Sequence, residues 1–228
     1  MKKYIVFFFA ALTTSTAFSQ GYQVTFKAPG YKSGITYLTY YMGSNFNIAD
    51  SAAIGNNGIA VFKGTNKLPP GIYAIFFPDK QRRTEFLIDK EQIISVTADT
   101  ADLVNKTVVT GSKENILYDQ YQKVAAGKGR LIQQERNAYT ASTTKEDSAL
   151  HEKNYTTYNK ELNDYREGII KNQPNSMMAA LLNAMKDPVY SSKIPVTKQD
   201  SVDNYNEYKK HYWDGISFMD DRIIRTPF

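Results

Sequence analysis

The feature that most constrains the fold is a change of pattern near Gly111. Nine of the thirteen glycines lie at or before that residue, and beyond it the apolar period changes from two to three-four. A period of two belongs to half-buried strands and a period near 3.6 to amphipathic helices, so one chain carries two architectures in succession. In the first, Tyr22, Val24 and Phe26 alternate with polar neighbours until Ala28-Pro29-Gly30 breaks the run. Ile35 to Met42 is β-branched and aromatic, which suits a strand. Asn56-Asn57-Gly58 is a tight-turn signal between Ala52–Ile54 and Ile59–Phe62, and predicts a hairpin of those two runs. Pro69-Pro70-Gly71 leads into Ile72–Phe77, apolar enough to be buried on both faces. Thr84–Ile88 and Ile93–Ala98, joined by Asp89–Gln92, and then Thr107–Thr110 complete the set. Seven or eight strands at this spacing predict an antiparallel sandwich or a partly closed barrel.

From Ser112 there is no proline until Pro174. Ser112 is placed to cap a helix, because its hydroxyl accepts from first-turn amides that have no other partner. Leu117, Tyr121, Val124 and Leu131 follow one face, interrupted by Lys128, and Tyr155, Tyr158, Leu162, Tyr165 and Ile169 step cleanly by three and four. With the polar stretch Thr140–Asp147 between them, the two runs predict an antiparallel helical hairpin. Tyr158 and Leu162, mid-stripe, are expected to be largely buried against the Leu117–Leu131 face. Tyrosines there would bury their rings and keep their hydroxyls at the rim. Ser176–Lys186 and Gln199–Tyr212 predict two further helices. The expected class is α+β: an antiparallel β-sandwich-like domain over 21–110, then an α-helical domain with a helical hairpin over 111–228.

The first nineteen residues follow another logic. Met1-Lys2-Lys3 is basic, Tyr4–Leu12 is a short apolar run, and Ala17-Phe18-Ser19 is a small-residue cleavage site. That order predicts a secretory signal cut after Ser19, and hence an exported protein of the periplasm, cell envelope or exterior. The remaining 209 or so residues suffice for a real core. They contain no cysteine, so disulfides, thiol chemistry and a cysteine-linked lipid anchor are excluded. No later apolar stretch approaches twenty residues, so stable membrane insertion is not expected. The formal charge of +5 is evenly spread: nine basic groups face seven acidic ones in 20–111, and seventeen face sixteen in 112–228. Nucleic-acid binding needs basic groups concentrated on one face, so that class is set aside.

No constellation of reactive groups emerges. The two histidines, His151 and His211, are too few for a histidine-built zinc site, and His151 falls on the helical stripe. Gly127-Lys128-Gly129-Arg130 lacks the spacing of a phosphate loop and has no strand before it. Asp220-Asp221 is not surrounded by alternating oxygen ligands. Lys80-Gln81-Arg82-Arg83 reads as a solvated turn, with an anionic contact as the alternative. No serine sits in a nucleophile elbow. The expected catalytic, cofactor-binding and metal-binding sets are therefore empty, and no cofactor is implied. Oligomeric state has no signature.

A resemblance adds to this reading. Asp50-Ser51, Asn57–Gly64, Leu68–Tyr73 and Phe86–Asp89 resemble the amino-terminal β-domain of envelope thioredoxin-like (TlpA-like, AhpC-TSA-like) proteins of Gram-negative bacteria. Gly111–Asn115, Pro174-Asn175-Ser176, Leu181–Met185 and His211–Ile216 are similar to the helical linker of the same proteins. In that family a thioredoxin domain with a Cys-x-x-Cys pair follows. The resemblance implies a non-catalytic accessory region of a thiol-disulfide oxidoreductase, with a downstream thioredoxin domain or an envelope protein substrate as partner. A free-standing envelope module that binds a peptide or small apolar ligand is the alternative. Because the chain stops at Phe228 without a cysteine, none of the family's redox residues has a counterpart, and truncation or a fragment is expected. The aromatic-rich segment His211–Phe228 is then expected to dock only partly on the helical domain and to leave an apolar surface.

Overall fold

A computed structural model describes residues 21–227; the expected signal and cleavage site, like Phe228, lie outside the described residues. Eight strands form two open four-stranded sheets. In chain order they are β1 (Tyr22–Lys27), β2 (Ile35–Met42), β3 (Asn45–Ala53), β4 (Ile59–Gly64), β5 (Gly71–Phe76), β6 (Arg83–Ile88), β7 (Ile93–Thr97) and, after the short helix α1 (Leu103–Lys106), β8 (Val108–Thr110). One sheet has the order β4-β1-β7-β8 and the other β3-β2-β5-β6. The sandwich is thus as expected, with one departure from antiparallel pairing: β1 runs parallel to β7, Gln23 opposite Ile93.

A second departure concerns the turn at Asn57-Gly58. The turn forms, with Gly58 at φ +73°, its amide donating to the Gly55 carbonyl at 2.9 Å and Asn57 Oδ1 accepting from Ile59. A Cβ on Gly58 would lie 2.8 Å from the Ala28 carbonyl oxygen, so glycine is required there. The flanking strands are not a hairpin, however. β3 pairs with β2 along its length and β4 pairs with β1, so the turn carries the chain from one sheet to the other. The hairpin that does form is β2–β3, reversing at Gly43-Ser44, where Gly43 has φ +56°.

Side chains facing inward from both sheets make the first core. Val24, Phe26, Phe62, Tyr73, Phe77 and Phe86 are all sealed from solvent, and Phe26 meets Phe77 edge to face at 5.1 Å. β5 is buried on both faces, as its composition predicts. Its outer side joins a second core: Tyr41, Ile72 and Leu87 from the sheet meet Leu117, Tyr118 and Tyr121 of α2 (Lys113–Ala141), Ile169 of α3 (Lys145–Asn172), and Met177, Met178, Leu181 and Leu182 of α4 (Met177–Ala184). The result is three layers: sheet, sheet and helices.

α2 and α3 form the expected antiparallel pair, started by Ser112 and Thr144, whose hydroxyls accept from Asn115 and Asp147. Burial is confined to the base of the pair. The buried residues of α2 end at Tyr121 and those of α3 are Leu162 and Ile169. Leu162 is buried as expected, but Tyr158 is only half-buried and Leu131 is 36% exposed. Two helices alone leave half of each apolar stripe uncovered, and among the described residues no third element packs over the outer turns. Polar contacts hold that half: Lys128 pairs with Glu161 and approaches the Tyr158 ring, and His151 Nδ1 lies 2.6 Å from Glu135 Oε2.

After α5 (Lys198–His211) the chain docks differently from expectation. It leaves Trp213 and Phe218 exposed, but α6 (Asp221–Ile224) returns it to the sheet rather than to the helices alone. The Arg225 carbonyl accepts the Ile72 amide at 2.9 Å, supplying β5 with the bond that β2 no longer provides there. A Cβ on Gly71 would sit 2.4 Å from Arg225 Cβ, so this approach also depends on glycine. No helix among the described residues is long and apolar enough to cross a membrane.

Candidate ligand groove

Among the described residues β6 is the last strand of its sheet, so one row of its main-chain groups has no strand to meet there. Asn115, in the first turn of α2 and 1% exposed, covers part of that row. Its carboxamide accepts from the Leu87 amide at 2.7 Å and donates to the Leu87 carbonyl at 2.8 Å, the pattern a neighbouring strand would make. Ser112 sets this up by capping the helix and fixing where its third residue points. Since the outward groups recur every second residue, those of Glu85 and Arg83 face the same side as those of Leu87.

That side is a cavity of about 590 Å³. One wall is β6 from Arg83 to Glu85 with the turn before it; the opposite walls are α1 and β8 (Leu103, Thr107, Val109) and α2 (Tyr118, Asp119, Tyr121, Ala125). The groove therefore follows the side of the sandwich where the edge strands of the two sheets, β6 and β8, do not pair. Thr107, 92% buried, lines it, and its Oγ1 is the only buried side-chain polar atom without a hydrogen bond among the described residues. Such an atom costs free energy until it gains a partner.

The rim is polar and internally paired. Asp79 accepts from the Gln81 and Arg82 amides, from Tyr31 Oη at 2.6 Å and from Arg82 Nε at 2.8 Å, and these donors, led by the Arg82 amide, hold its carboxyl well below the usual range. Arg83 Nε lies 3.0 Å from Glu85 Oε1, which also accepts from Tyr41 Oη at 2.7 Å. Burial, and then the hydrogen bond to Glu85, pushes the Tyr41 phenol up to about 12. Burial first and the Glu85 charge second raise Tyr118 as well. Both phenols stay protonated at neutral pH and serve as donors.

Of the candidates in the sequence, only the Lys80–Arg83 turn borders this groove, and its arginines are engaged by Asp79 and Glu85. His151 lies in the outer hairpin beside Glu135, and His211 Nδ1 is 2.6 Å from Asp214 at the end of α5. Gly127–Arg130 is continuous helix within α2, and Asp220 caps α6 and pairs with Arg222. The residues that sequence reasoning missed are Asn115, Glu85 and Thr107. For Asn115 one signal existed, an amide side chain three residues after a capping serine.

A second cavity of about 470 Å³ lies under the C-terminal segment, lined by Tyr208, Tyr212, Trp213, Phe218 and Ile223. It is largely apolar and collects a series of rings, edge to face from Tyr208 through Tyr212 to Trp213 and tilted from Trp213 to Phe218. Among the described residues no group of three or more His, Asp or Glu side chains is placed to hold a metal ion. The groove along β6 offers hydrogen bonds, two charges and an apolar floor, which suit holding a ligand.

No curated protein and no solved structure matches the chain. Residues 22–118, the whole sandwich and the start of α2 through Tyr118, are similar to the family described as a domain of unknown function, DUF4369.

Proposed function

We propose that this chain is a non-catalytic recognition module, exported to the cell envelope, that serves a thioredoxin-like thiol-disulfide oxidoreductase by holding its polypeptide substrate or placing its redox domain. The observation that supports this reading is the groove along β6, which joins an open strand edge to an apolar floor. The resemblance to envelope thioredoxin-like proteins supplies the redox context. Without cysteine, the chain itself has no dithiol to exchange.

Two measurements test this. Fluorescein-labelled, reduced and carboxymethylated casein, an unfolded polypeptide, is expected to bind the chain saturably; absence of saturable binding overturns the recognition role. The reading frame beyond the Phe228 codon tests the redox context. Continuation into a Cys-x-x-Cys domain is expected. A stop codon with a stably folded product replaces the accessory role with the second reading, a free-standing envelope module for a peptide or small apolar ligand, which the groove favours equally.

A further inference from the structure

We infer that the groove binds its partner as an added β-strand: an extended peptide lying antiparallel to β6, joined through the main-chain groups of Arg83 and Glu85 and stopped in register by the Asn115 carboxamide. This deepens the recognition reading and rests on it.

The case begins with the edge itself. Arg83 and Glu85 turn their amides and carbonyls away from β5, toward the cavity. Donor and acceptor pairs repeating every second residue along a line are matched by another extended backbone. Folded proteins cover or charge a strand edge that is not for use; here the two charges on the open stretch, Arg83 and Glu85, pair with each other and leave their main-chain groups toward the cavity. Here Asn115 covers Leu87 with a two-bond mimic of a strand, while the next two outward positions open into a cavity with walls on three sides. The carboxamide therefore marks where pairing must end.

Charge sets the side chains such a peptide would carry. Arg83, Glu85 and Leu87 share the helix-facing side of β6, since Leu87 joins the core with α2. Residues directly opposite in an antiparallel pair lie on the same face, and opposite charges favour each other there. Arg83 and Glu85 already pair with each other, so an acid opposite Arg83 and a base opposite Glu85 add a modest preference, giving base-x-acid from N to C in the antiparallel sense. The intervening residue, opposite Thr84, turns toward Leu103 and Val109 and is expected to be small and apolar.

The test uses the mature chain and a fluorescein-labelled peptide, Thr-Val-Lys-Val-Asp-Val-Thr amide, followed by anisotropy. N-methylation of the Lys or Asp amide should weaken binding about tenfold, since each methyl removes one main-chain bond. N-methylation of the Val between them, whose amide points away from β6, should leave binding nearly unchanged. Exchanging Lys and Asp should weaken binding by a few fold, as exposed charge pairs contribute modestly. On the protein side, Glu85→Pro removes only an outward amide, which an edge strand tolerates, whereas Glu85→Ala keeps it. Proline should abolish binding and alanine should retain it; if the proline variant does not fold, the alternation of N-methyl effects still decides. Uniform sensitivity along the peptide, or none, overturns strand addition. Casein binding without peptide binding also overturns it while leaving the recognition role standing, and failure of both probes removes the recognition role itself.

Discussion

The sandwich and the outer half of the helical hairpin use similar residues to opposite effect. Tyr73 is sealed between two sheets, whereas Tyr155 and Tyr158, on a stripe of equally regular period, remain half-buried. The sheets close over each other, so every inward side chain meets an opposing layer. Beyond Ala125 the helices, among the described residues, have only each other, and polar pairs such as Lys128–Glu161 and His151–Glu135 replace a core there. Periodicity states which face of an element is apolar; burial also requires a second surface to cover it. On this view the sandwich answers to apolar volume and the hairpin only does so at its base.

The largest effect should come from inside the sandwich. Phe86→Ala is expected to lower stability by about 3–5 kcal/mol in urea unfolding, through lost burial and the cavity left behind. A loss below about 1 kcal/mol would place the main core elsewhere. Next is the seam between sheet and helices, where Asn115→Leu leaves the Leu87 amide and carbonyl without partners and should cost about 2–4 kcal/mol. Within the hairpin, Leu162→Ala should cost about 2–3 kcal/mol. Leu131→Ala, in the exposed outer turns, should stay under about 1 kcal/mol. Equal shifts from these two would erase the distinction between base and tip. The smallest effect at neutral pH is expected from the phenol of Tyr41, whose hydrogen bond to Glu85 contributes about 0.5–1 kcal/mol there and whose contribution changes only in alkali. A group whose pKa is raised on folding stabilises the fold below its ordinary value, here 10.0, and loses that contribution as pH rises toward about 12. Absorbance titration of Tyr41→Phe against the parent chain should show one fewer phenol ionising late, and a stability that falls less steeply between pH 10 and about 12.

Much of this was legible in the residues. Seven of the eight strands coincide closely with runs of alternating or continuous apolar residues, and the caps at Ser112 and Ser176 stand where their hydroxyls imply. β3 extends further than the Ala52–Ile54 run implies because a bulge at Ala49 puts the alternating Asn45–Ile48 out of phase with Asp50–Ala53. The Asn57-Gly58 turn was read with the wrong partners, since a reversal of direction looks the same whether the chain re-enters its own sheet or crosses to the other. Parallel pairing of β1 with β7 lies beyond local pattern, because nothing near Tyr22 refers to residues seventy positions away. The groove was invisible for a similar reason. Arg82 and Arg83 were noticed as a charged turn, but Asn115 acquires meaning only when α2 is laid against β6. The docking of Arg225 on Ile72 depends likewise on a contact that spans most of the chain.

The position of β1 has a consequence in time. It is the first strand to be synthesised, yet it lies inside its sheet, between β4 and β7. Its second neighbour leaves the ribosome some seventy residues later, about 4–14 s at ordinary translation rates. During that interval the early apolar residues Val24 and Phe26 have nowhere to go, and a contact of such sequence separation closes slowly even when both strands exist. The β2–β3 hairpin can form at once, so the two sheets mature in opposite order to their place in the chain. A nascent chain of this kind spends its first seconds with its central strand waiting, and that is when a chaperone or a neighbouring chain would find it.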